Sequence, residues 1–105
     1  MKKYEMVLDS SVEFMGTKLY RIRALIKFGN IEKGELGGYI ATEKNLSQVF
    51  GDAWVSGDAR VSGDARVSGD ARVSGNAWVS GDARVSGNAR VSGDARVYGD
   101  ARVYG

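Results

Sequence analysis

The sequence predicts an all-β protein wound as a coil, and three observations carry that prediction. From Gly51 to Tyr104 the chain is nine unbroken copies of a six-residue unit, Gly-(Asp/Asn)-Ala-(Arg/Trp)-Val-(Ser/Tyr). A fixed short period marks units that bury their apolar side against one another. The only apolar residues present in every copy are Ala and Val, two positions apart. That is the strand period, so both point to one side and the residue between them to the other. Between successive three-residue strands falls a Ser-Gly-Asp corner. A helix fails this pattern, because six residues advance about 600° at roughly 100° each and the Val column would drift around the cylinder.

Val55-Ser56-Gly57-Asp58-Ala59-Arg60 follows the order aliphatic, small, variable, variable, small, variable, and Val61 opens the next copy. In this the repeat resembles the hexapeptide family of left-handed parallel β-helices. Its Gly follows the aliphatic residue by two places, where many members have it immediately after. The resemblance implies three units per triangular turn, hence three regular turns. At ~4.8 Å between strands these stack to roughly 15 Å. It also implies homotrimers that meet along flat faces.

At 105 residues the chain forms one domain with a modest core, since the coil interior holds only Ala and Val. Stability should come from stacked backbone hydrogen bonds and from neighbouring turns or subunits. Cys and His are both absent, which excludes disulfides, thiolate metal sites and histidine chemistry. No apolar run approaches ~18 residues, so no membrane partner is expected. Met1-Lys2-Lys3 is not followed by an apolar segment fit for a signal peptide, and a cytoplasmic protein is the expectation. The net charge of +2 comes wholly from residues 1–50, because the repeats hold seven Arg against seven Asp. A neutral checkerboard is poor material for a nucleic-acid partner.

In chain order, residues 1–28 read as an N-terminal antiparallel β cap over the open end of the coil. Tyr4, Met6 and Leu8 make a short strand, and Val12-Glu13-Phe14 pairs through a turn at Met15-Gly16-Thr17. From Lys18 to Phe28 alternation places Tyr20, Ile22, Ala24, Ile26 and Phe28 on one side. Residues 29–50 read as a degenerate first coil. Counting back from Val55 by sixes reaches Val49, Glu43, Gly37 and Ile31, while Ile40 and Leu46 are six apart in a shifted frame. Gly34, Gly37 and Gly38 are assigned to corners. No Gly-Lys-Ser/Thr follows them, so a phosphate loop is not supported. Residues 51–105 are the regular coil. The block from Tyr20-Arg21-Ile22 through Gly37-Gly38-Tyr39-Ile40 to Asn45-Leu46-Ser47-Gln48 is similar to a leader of small bacterial and bacteriophage β-helix proteins. That implies a bacterial or viral source and says little about activity.

With three units per turn, residues eighteen apart stack. Face one carries Trp54, Arg72 and Arg90. Face two carries Arg60, Trp78 and Arg96. Face three carries Arg66, Arg84 and Arg102, and is fully charged. Arg columns repel unless opposite charge lies alongside, and the Asp two residues earlier is expected to point the same way and pair with them. The alternative is that the columns present guanidinium forks to an anionic ligand, with Arg60, Arg66, Arg84, Arg96 and Arg102 as its contacts. Outward Trp54 and Trp78 are assigned to a subunit interface, against internal cation–π stacking of Trp78 between Arg60 and Arg96. Tyr98 and Tyr104 replace Ser in the last two copies and suggest end-to-end pairing or a docked partner at the C-terminal coil.

The resemblance brings acyltransferases that use a His base and carbonic anhydrases that hold zinc through His, and this chain has no His for either. The repeated setting of every coil Asp offers no singular environment for catalysis. The sequence therefore points to a non-enzymatic, oligomeric binding protein without a cofactor. One concrete form is a phage-encoded inhibitor that sequesters a host protein or an anionic, nucleotide-like molecule. The alternatives are a self-assembling structural module and a catalytically dead relative of the acyltransferases.

Overall fold

The computed structural model describes residues 2–14, 16–48 and 51–104. Two long strands, β1 (Tyr4–Phe14) and β2 (Thr17–Ala24), form a hairpin, and β3 (Leu36–Ile40) follows. After a single 3₁₀ turn at Glu43–Asn45 come the short strands of the coil. These are β4 (Trp54–Val55), β5 (Arg60–Val61), β6 (Arg66–Val67), β7 (Arg72–Val73) and β8 (Trp78–Val79), then β9 (Arg84–Ser86), β10 (Arg90–Val91), β11 (Arg96–Val97) and β12 (Arg102–Tyr104). They stack into three parallel ladders, β4-β7-β10, β5-β8-β11 and β6-β9-β12. Arg60 pairs with Trp78, Trp54 with Arg72 and Arg66 with Arg84, so the predicted eighteen-residue stacking holds on every face. The protein is an all-β solenoid of about four turns.

Local chemistry explains the winding. In the corners from Ala59 onward the Ala N–H closes a turn on the carbonyl three residues earlier, as Ala59 does on Ser56 at 3.2 Å. The Gly inside that turn has a positive φ, +66° at Gly69, which an L side chain resists. Between turns, the N–H groups of Arg60, Ser62 and Asp64 donate to the carbonyls of Ala77, Val79 and Gly81, each at 2.9 Å. Inside, Ala53 to Ala83 and Val55 to Val85 are all but completely buried. Burial then declines through Val91 and Val97, and Ala95 and Ala101 are exposed.

The leader departs from expectation in three ways. Tyr4 to Phe14 is one strand with a register break between Val7 and Ser11, and β2 ends at Ala24 rather than Phe28. The expected antiparallel hairpin caps the coil by extending one of its sheets: β2 pairs antiparallel with β3, which pairs parallel with β5. The frame of the first coil is the shifted one. Ile40 stacks on Val61 and Leu46 on Val67, twenty-one residues on, and both are buried. Of the positions reached by sixes, Glu43 lies in the 3₁₀ turn and Gly37 inside β3, while Ile31 bridges Phe28. Val49 falls outside the described residues.

Gly37 and Gly38 therefore shape no corner; they let β3 approach the coil. A Cβ on Gly37 would stand 2.5 Å from the Val55 carbonyl oxygen and 2.7 Å from the Trp54 ring. Gly34 has φ +88° but open space around it. Gly37→Ala should cost about 3 kcal/mol, the upper range for overpacking, and Gly34→Ala only about 1 kcal/mol. Chemical denaturation of both variants checks the order, and equal losses would contradict the close approach.

Candidate functional site

The three outward faces meet different fates because the leader covers two of them. On face one, Phe28 packs edge-on against Trp54, with centroids 5.4 Å apart, and Trp54 is only 1% exposed. Trp54 is thus sealed by its own chain and does not form the outward interface expected of it. Above it, the Arg72 Nη1 donates to Asn30 Oδ1 at 2.9 Å. On face two, Phe14 reaches from the hairpin to Trp78, and the Arg60 guanidinium lies 4.4 Å from the Phe14 centroid. Trp78 does hold Arg96 over its ring, at 6.0 Å, so part of the expected cation–π stacking exists.

Face three stays open. Arg66, Arg84 and Arg102 are all exposed there. Among the described residues, no repeat Arg lies within 4.0 Å of a repeat carboxylate; the one ion pair of a coil Asp is Asp58 with leader Arg21, at 4.0 Å. The anticipated Asp–Arg lattice is therefore not formed. The reason is local: Asp occupies the turn beside Gly, where strand alternation does not apply, so two residues of separation no longer place side chains together. The Arg column of face three thus has no direct carboxylate contact among the described residues, although Asp64 lines a recess beside Arg66 and Lys44.

Beside this column lies a cavity of about 630 Å³, lined by Arg66, Arg84, Lys44, Gln48, Ser68 and Ser86 among others. Its size falls within the range of small-molecule sites. Three cations and several hydroxyl and amide groups converge there, with Glu43 as the one carboxylate; Glu43 is engaged by Lys2 at 3.0 Å. Such a wall offers fork-shaped and point-charge donors to an anion. Arg102 continues the column beyond the cavity, whereas Arg60 and Arg96 sit on face two. The five arginines singled out in the sequence thus divide between two places. Tyr98 and Tyr104 are 70% and 73% exposed.

The cavity wall formed by residues 43–48 is held by side chains that the repeat gave no means to find. Asn45 is fully buried: its amide donates to the Gly63 and Ala65 carbonyls, and its Oδ1 accepts from the Ala41 and Thr42 N–H groups. The Tyr4 hydroxyl sits 2.5 Å from the Leu46 carbonyl oxygen and 2.9 Å from that of Glu43. Gln48 accepts from the Lys3 and Tyr4 N–H groups and donates to the Tyr4 carbonyl. Below, the buried Lys3 ammonium donates to the Ala53 carbonyl and faces Phe28. Among the described residues there is no cluster of acidic side chains able to hold a metal.

These features define a β-helix repeat protein with a basic, leader-bordered groove on one face. Copies of the YdcK beta solenoid repeat match residues 53–69, 65–81, 83–97 and 95–105, and with the observed coil they place the chain among β-helix repeat proteins. No curated protein shows a sequence match to the chain.

Desolvation lowers the Lys3 pKa below its ordinary value near 10.5, with Arg72 adding to the effect and Asp52 and Asp70 opposing it. The unfolded chain then holds this proton more tightly, so the Lys3 contribution to stability rises with pH up to that value. Tyr4 acts oppositely: burial, helped by Glu43, raises its pKa above 10.0, and the unfolded chain loses its proton first. Comparison with Lys3→Met cancels Tyr4, which both proteins share. Denaturant midpoints at pH 7 and pH 10 should shift in favour of the parent protein as pH rises, and an unchanged difference would refute the assignment.

Proposed function

We propose that the protein is a non-enzymatic β-solenoid that binds a small anionic molecule in the face-three groove. The observation that carries this is the column Arg66–Arg84–Arg102, exposed and without repeat carboxylate partners, beside a cavity that Lys44 also lines. An anion there would make the direct contacts with these guanidiniums that the repeat carboxylates, more than 4.0 Å away, do not make. Guanidinium pairs recognise phosphate and carboxylate alike, so either group fits the wall. We further read the repeat as the hexapeptide type, the assembly as a homotrimer, and the role as sequestration by a bacteriophage-encoded inhibitor in the bacterial cytoplasm. A second reading, a module that assembles through its coil, draws support from the outward Tyr98 and Tyr104 rings.

Calorimetric titration with inorganic pyrophosphate and with citrate tests the groove. At least one should bind saturably, more weakly at higher salt. Arg84→Ala should lower its affinity by about tenfold or more, the range for a charge-assisted hydrogen bond. Arg84 is exposed, so the thermal melt should be preserved. Absence of binding, or an affinity indifferent to Arg84, would reject the proposal. Native mass spectrometry of the purified protein reports subunit number and any retained ligand together.

A further inference from the structure

Face two holds a second hollow, on a different sheet from the groove above. It measures about 350 Å³ and is lined by Phe14, Trp78, Arg60, Arg96, Asn76 and Asp94. Phe14 and Trp78 stand nearly perpendicular, with centroids 4.9 Å apart and planes at 85°. Trp78 is anchored through its indole N–H to Ser62 Oγ at 3.4 Å, which fixes the ring while leaving it partly exposed. The Arg96 guanidinium lies 6.0 Å from the Trp78 centroid and, among the described residues, has no carboxylate within 4.0 Å. Asn76 donates to Asp94 at 3.4 Å, placing a polar edge beside the ring.

The plain account of these contacts is that Phe14 pins the hairpin to the coil. A ring contact suffices for that, yet two facts stay outside it. Arg60 Nε is buried beneath this corner without any hydrogen-bond partner. Arg96 is exposed and makes no ion pair within 4.0 Å among the described residues, although Asp94 lines the same hollow. A right-angled aromatic corner flanked by two guanidiniums suits a flat heteroaromatic ring bearing an anionic substituent. Base–aromatic stacking and guanidinium–phosphate contacts are separate recognition elements that such a corner supplies together.

We infer that face two binds a free mononucleotide, its base on Trp78 beside Phe14 and its phosphate on Arg96. A single-stranded nucleic acid fits less well, because it needs successive stacking platforms. In this column the neighbours of Trp78 are Arg60 and Arg96, and the whole chain carries only +2.

Tryptophan fluorescence reads the site directly, because Trp54 is buried and Trp78 is not. Titration with AMP and GMP should quench it saturably, and inorganic phosphate alone should leave it unchanged. In calorimetry, Trp78→Leu and Arg96→Ala should each weaken nucleotide binding by about tenfold or more. Arg84→Ala should leave it intact, which separates this site from the face-three groove. Arg96 is exposed, so Arg96→Ala remains a test even if Trp78→Leu does not fold. No saturable quench, an equal response to phosphate alone, indifference to Arg96→Ala or sensitivity to Arg84→Ala would each overturn the inference. So would a short oligouridylate binding more tightly than the mononucleotides by about tenfold.

Discussion

The hydrogen-bond ladder between successive turns is the constraint on which everything else in this protein depends. Ala and Val fill the interior with short side chains only, so one turn buries little by itself. Ladder bonds such as those from Arg60, Ser62 and Asp64 supply the cohesion, and they require backbone to lie directly over backbone. That requirement fixes the corner. A Gly at positive φ is needed in each turn, and at Gly69 a Cβ would stand 3.0 Å from the Gly87 nitrogen above it. With the Gly, Ala and Val positions fixed, variation is left to the other three, and the residue between Ala and Val is where Arg and Trp appear.

The leader meets the coil by imitating it imperfectly. Its interior residues Ile40 and Leu46 stack twenty-one residues below their partners, where the coil itself uses eighteen. Asn45 reconciles the two rhythms, its side-chain amide reaching the Gly63 and Ala65 carbonyls. The same leader then distinguishes three faces that the repeat makes nearly alike. Phe28 closes one, Phe14 lies over another, and the third is left with a basic groove along its edge.

Much of this was legible from the sequence, and the illegible parts share a cause. Alternation of Ala and Val sufficed to turn the intervening Arg outward, and the three units per turn implied by the resemblance to hexapeptide β-helices placed Arg66, Arg84 and Arg102 in one column. Pairing of Asp with Arg was not recoverable in the same way, since that spacing crosses from turn to strand. Trp54 and Trp78 occupy the same position of the unit, yet one is sealed and the other is half-covered. Their covers, Phe28 and Phe14, come from distant segments whose path no periodicity encodes. Leu46 and Ile40 showed the correct phase, and only the observed pairing with Val67 and Val61 distinguishes it from the competing frame through Ile31.

That three six-residue units make one eighteen-residue turn has a consequence for how such a chain can change in length. Gaining or losing a full turn would carry each later side chain straight along the axis, so every column keeps its members and merely grows or shrinks. Gaining or losing one unit would instead rotate all later residues onto the adjacent wall. Trp78 would leave the wall that Phe14 overlies, and Arg84 would leave the one beside Lys44. The walls therefore keep their chemical identity only under changes counted in threes.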